Sequence, residues 1–167
     1  MMRLFILALG FMLIGVWLNI VFNNYFQLGG LKINWMLIFM LVLTFRHPSL
    51  LVVPFVGVLA GLICDALSHG IMGLYGISFF VTLLLARQVI KSFYANTFFS
   101  VGIAVLGMSF FEGWISLSIL GQFEESLNQF PLIMTSTLPL AVLQGLVTPI
   151  ILQSVTLGEK LYFRDAT

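Results

Sequence analysis

Apolar runs divided by short polar breaks organise this chain. The first run covers residues 4–22 and follows a start bearing Arg3. Asn23, Asn24, Tyr25 and Phe26 come next, with no small-x-small cleavage site, so the run reads as an uncleaved membrane helix rather than a signal peptide. Gly29-Gly30 closes a loop before the second run, 31–46. Lys32 and Arg46 can snorkel at its two ends, and Trp35 sits where an interfacial aromatic belongs. In Arg46-His47-Pro48-Ser49, Pro48 stops one helix and Ser49 can cap the next. The third run, 50–67, carries Pro54 near its first turn, where proline is tolerated. Ser68-His69-Gly70 breaks the pattern, and the fourth run, 71–90, opens with Gly73 and Gly76 and ends near Arg87 and Lys91. The fifth covers 98–120. The longest polar loop, 121–131, leads to the sixth, 132–155, where Pro139 and Pro149 predict a kink. The tail from Glu159 is short and mixed in charge.

Runs of about 20 apolar residues are the length a membrane helix needs. The expected fold class is therefore an all-α membrane protein with six transmembrane helices, forming one integral membrane domain over residues 1–167. Composition strengthens this. The chain is 60% hydrophobic and 8% charged, against about 25% charged in a soluble domain. Its mean hydropathy is +1.13. A barrel would require alternating lumen and lipid positions, which do not appear. Placing the N-terminus in the cytoplasm puts Arg3, Arg46, Arg87, Lys91, Lys160 and Arg164 inside and Lys32 alone outside. That asymmetry predicts cytoplasmic termini and an outward loop bearing Glu124 and Glu125. No basic cluster points to nucleic acid.

Two acids fall within the runs, Asp65 and Glu112, where ionisable groups are costly and draw attention. Gly57, Gly61 and Asp65 recur every fourth residue, with Ala60, Cys64 and Ser68 on the same side, giving a strip of small residues that ends in an acid. Glycines so spaced let helices approach closely, either within the bundle or against a partner. Asp65 lies near a helix end and can equally reach water. Glu112 shares a face with Ser109, Gly113 and Ser116. Both acids fall in the outer half, so they could line one outward-facing pocket or bond neighbouring helices. Their face is expected to mediate helix packing or partner docking. His47 and His69 lie on opposite sides of the membrane in this topology, and Cys64 has no second thiol, so neither a metal nor another cofactor is expected. No nucleophile triad, phosphate loop or dinucleotide fingerprint is present, and no enzymatic activity is expected.

The run Gly57-x3-Gly61-Leu62-x2-Asp65-x7-Gly73 resembles the signature of the rod shape-determining MreD family. There, a Gly-x3-Gly-x3-Asp span is followed after a short turn by a glycine that opens the next helix. Asn34-Trp35-Met36-Leu37-Ile38 is similar to the family's entry to its second span, with Ile33 standing where proline is common. Arg46-His47-Pro48 resembles its basic turn, and Gly145 with Pro149 its last helix. The resemblance implies a non-catalytic scaffold of the bacterial elongation machinery in the cytoplasmic membrane. Its direct partner would be MreC. MreB, RodA and a class-B penicillin-binding protein would belong to the wider complex, which organises lateral peptidoglycan synthesis. The alternative is a solute-binding subunit of an energy-coupling-factor vitamin transporter. Those subunits are also small six-helix bundles, and Asp65, Glu112 and Gln144 could then face the solute.

Overall fold

A computed structural model describes residues 2–25, 32–47, 52–68, 71–92, 98–123, 131 and 133–164. Six α-helices follow one another: α1 (Met2–Tyr25), α2 (Trp35–Arg46), α3 (Val52–Ser68), α4 (Leu74–Ser92), α5 (Phe98–Phe123) and α6 (Leu138–Arg164). A π-helical turn, Ile133–Thr137, precedes α6. No strand occurs among the described residues. The Gly29-Gly30 loop, the Ser49 cap, His69 and the Glu124–Glu125 loop lie outside the described residues, as do the side chains of Arg3, Lys91 and Arg164.

The six expected runs correspond to the six helices. Three helices are long and apolar enough to cross a membrane, over Phe5–Phe22, Ser100–Gln122 and Ile133–Lys160. The other three are shorter. The shortest, α2, is the hub of the bundle, in contact with α1, α3, α4, α5 and α6. Every side chain from Met36 to Thr44 is at most 3% exposed. A helix that is apolar all round is either lipid-facing or buried in protein, and α2 is the second kind. Its 12 residues span only about 18 Å at 1.5 Å per residue, against a hydrocarbon core of about 30 Å. Lipid therefore does not set its length; its neighbours do.

A short buried helix must satisfy its own first N–H groups with protein. Asn34 caps α2, its Oδ1 accepting from Leu37 N at 3.3 Å. Asn19, inside α1, accepts from Trp35 N at 3.1 Å. These caps start the helix at Trp35, several residues after the apolar run begins. Around α2, Phe11 stacks on Phe39 with centroids 5.6 Å apart. Gly15 lets α1 close on the backbone of Met36.

The prolines occupy different places along the helices. Pro54 is the third residue of α3, where its missing N–H costs no helix bond. The irregularity associated with Pro139 falls before it, as the π turn, in which the hydroxyls of Thr135 and Thr137 bond the carbonyls of Pro131 and Ile133. Pro149 lies within α6 and leaves the Gly145 carbonyl without its i+4 donor. That carbonyl meets Gly102 of α5, and the Gly102 carbonyl meets Gly145, so the two helices cross in backbone contact.

Helix α6 also runs further than expected, to Arg164. Glu159 thereby reaches the C-terminal end of α2. Arg46 Nη2 and Nε contact its Oε2 at 2.7 and 2.8 Å, and His47 Nε2 lies 2.9 Å from Oε1. The carboxylate is buried while its partners remain about one-third exposed. Glu159→Ala leaves Arg46 and His47 free to hydrate. The expected loss is about 1–2 kcal/mol, below the cost of a fully buried pair, read as a lower thermal midpoint of the purified protein.

Candidate functional site

The strip on α3 is covered by α4. A Cβ at Gly61 would run into Tyr75 O and Gly76 Cα, and one at Gly57 would meet the tip of Leu83. The two helices thus pack as an αα-hairpin at near-backbone contact. The turn that joins them ends at Gly73, whose φ of +94° is left-handed, a conformation that suits glycine. Gly73 is also the first cap of α4, its carbonyl accepting from Ile77 N at 2.9 Å. Glycine has no side chain to accept from the following N–H groups.

Asp65 takes that role across the hairpin. Its Oδ2 accepts from Gly73 N at 2.9 Å and Gly76 N at 3.4 Å, and its Oδ1 from Tyr75 N at 3.0 Å. The side chain is 2% exposed. A carboxylate at a helix N-terminus is favoured by the macrodipole as well as by these donors. Gly57, Gly61, Asp65 and Gly73 therefore form one clamp between α3 and α4.

Glu112 is placed differently. It lines a cavity of about 600 Å³ at the end of the bundle where α2, α4 and α6 begin. Gly113, beside it, packs on Thr137 of the π turn. Asp65 and Gln144 are not among its lining residues, and Glu112 is its one lining acid among the described residues; of the two expected arrangements, bonding to a neighbouring helix holds for both acids, each of which meets α4. Polar groups from separate segments join Glu112 there: Asn19, Lys32, Asn34, Tyr75, Ser116 and Ser136. Two stretches of irregular backbone, 32–34 and the π turn, also border it. Non-helical backbone at membrane depth is tolerated where it is buried in protein or lines a cavity, and π turns are frequent at functional sites.

Glu112 is 7% exposed. Ser116 Oγ donates to its Oε1 at 2.8 Å, and Ser78 Oγ lies 3.2 Å from the same oxygen and 3.2 Å from Tyr75 O, sharing its one proton between them. Oε2 receives no hydrogen bond from the described residues, and no cation among them lies within ion-pair distance of the carboxyl. Ser109, on the same helix face, is sealed in the interior without a partner.

Comparison with protein-family models, curated proteins and solved structures gives no match. The family resemblance therefore rests on the motif residues themselves.

Chemically, the described residues of the cavity offer one acid, one rim cation and several neutral donors and acceptors over apolar walls. No group of three His, Cys, Asp or Glu that could hold a metal occurs among the described residues. Cys64 is buried, with Asn19 Nδ2 3.7 Å and Met36 Sδ 3.3 Å from its sulfur, and fills space between α1, α2 and α3. Asn19 falls inside the first apolar run and has no motif around it. Its only signal is a single amide within the otherwise apolar run 4–22.

Proposed function

We propose that the chain is a non-catalytic membrane scaffold of the bacterial cell-elongation machinery. It would act with an MreC-like partner, and through it with MreB, RodA and a class-B penicillin-binding protein, to organise lateral peptidoglycan synthesis. The observation that carries this reading is that the residues of the MreD-like signature act together. Gly61, Asp65 and Gly73 meet in one hairpin clamp, so the spacing corresponds to a structural requirement and not to scattered coincidence. In this reading six segments pass through the cytoplasmic membrane as a compact bundle like the solute-binding subunits of energy-coupling-factor transporters, with the short α2 enclosed by the others. Both termini are cytoplasmic, and the Arg46–Glu159 end faces inward.

The clamp also narrows where a partner docks. Gly57 and Gly61 are consumed by α4, so a partner helix must use another lateral face. Gly10 and Gly107 are the described glycines within helices whose Cβ positions meet nothing, and bulky replacements there are the first interface variants to test. Affinity purification of the tagged chain from its own membranes in mild detergent should recover an MreC-like protein. Recovery of a coupling transmembrane subunit with paired ATPases would replace the scaffold by the second reading, a solute-binding subunit. The cavity beside Glu112 favours that second reading, since its volume falls within the range of about 300–1,000 Å³ typical of small-molecule sites.

A further inference from the structure

The cavity carries an inference that stands apart from the scaffold reading. Glu112 is more than nine-tenths buried, yet Oε2 receives nothing from the described residues and the carboxyl borders open space. Buried charges are normally paired, and an intramembrane acid normally finds its partner in the bundle or in a cavity. Here both serine hydroxyls lie against Oε1, which leaves the second oxygen for an incoming donor. The walls beside it are apolar, with Leu74, Leu117 and Leu140 among them. Lys32 is exposed and also lines the space, so among the described residues the mouth carries a cation while the acid lies inside.

We propose that this cavity binds an ammonium-bearing amphiphile, with its cation against Glu112 Oε2, its apolar body along the leucine walls and any anionic group toward Lys32. A compact monocation or zwitterion fits this polarity. A dication extending to the mouth would meet Lys32 and be disfavoured. The same ammonium chemistry is offered by a free amine and by an ethanolamine lipid headgroup.

The test uses the purified full chain in nanodiscs of phosphatidylcholine and phosphatidylglycerol, with empty nanodiscs as the baseline. The probe is dansylcadaverine, a primary ammonium on an apolar fluorophore; its N-acetyl derivative keeps the body and loses the charge. Dansylcadaverine should bind saturably, and the acetylated probe about tenfold or more weaker, as expected for loss of a charge-assisted bond. Glu112→Gln should weaken the amine by a similar factor and leave the acetylated probe unchanged. Leu117→Trp, which fills the cavity and spares the carboxyl, should weaken both probes. Equal affinity of the two probes for the unmodified protein, or no saturable signal above empty nanodiscs, overturns the proposal even if Glu112→Gln fails to fold. Repeating the titration with phosphatidylethanolamine in the nanodiscs then assigns the source. Competition identifies a lipid headgroup and its absence a free amine, and both outcomes support ammonium recognition.

Discussion

Asp65→Ala should be the most damaging single substitution in the hairpin. It leaves the N–H groups of Gly73, Tyr75 and Gly76 without their acceptor, at a position where the side chain was 2% exposed and water cannot replace it. Each orphaned donor costs about 1–3 kcal/mol, and the favourable charge at the α4 N-terminus is lost as well. The expected total is about 4 kcal/mol, which at about 2–4 °C per kcal/mol for a chain of this size lowers the thermal midpoint by roughly 10 °C. Asp65→Asn should fall between the two, because one carbonyl oxygen remains while the new amide turns donors toward donors. A midpoint for the alanine variant within about 2 °C of the unmodified protein would mean that the clamp does not hold the hairpin.

Gly61→Ala should destabilise the protein far more than Gly57→Ala, although the two glycines stand one helical turn apart on the same strip. At Gly61 the added methyl meets main chain, the carbonyl of Tyr75 and the Cα of Gly76, and neither can rotate aside. The helices must separate, which places the cost at or above the upper part of the usual overpacking range of about 1–3 kcal/mol. At Gly57 the methyl meets the far end of Leu83, which can adopt another rotamer, so a loss below about 1 kcal/mol is expected. Thermal midpoints of the two variants in one detergent check this directly, and equal losses would show that α3 and α4 are not held at backbone contact. Separation at Gly61 also carries Tyr75 and Gly76 away from Asp65. The double variant Gly61→Ala with Asp65→Ala should therefore lose less than the sum of the single losses, as coupled neighbours do.

The hairpin borders the cavity through Cys64, Ser68, Leu74 and Tyr75. A variant that opens it should weaken probe binding without touching Glu112. This separates two roles that share one neighbourhood: Asp65 holds backbone together, and Glu112 faces the open space.

The clamp was legible because its parts lie within one short stretch. A spacing of four puts Gly57, Gly61 and Asp65 on one side of a helix, and a turn follows at once. The cavity was not legible in the same way. Asn19, Lys32, Tyr75, Glu112 and Ser136 come from separate segments, and no spacing rule connects them. Gln144, which could face the solute in the transporter alternative, is sealed in the interior with Oε1 unpartnered. Glu159 reads as the start of a short tail of mixed charge, because nothing local indicates that α6 continues far enough to bring it to Arg46 and His47.

By itself the sequence determined the class of protein, the six helical segments and the small-residue strip, because hydropathy and helical spacing are local properties of the chain. Tertiary structure alone decided which apolar helix is the hub, which acid is spent on backbone and which borders the cavity. The reason is physical. Lipid and protein interior are both apolar, so α2 reads like a lipid-facing span until its neighbours are known. A carboxylate's role depends on which donors the fold brings within about 3 Å of it, and for both acids the decisive groups include some on another helix.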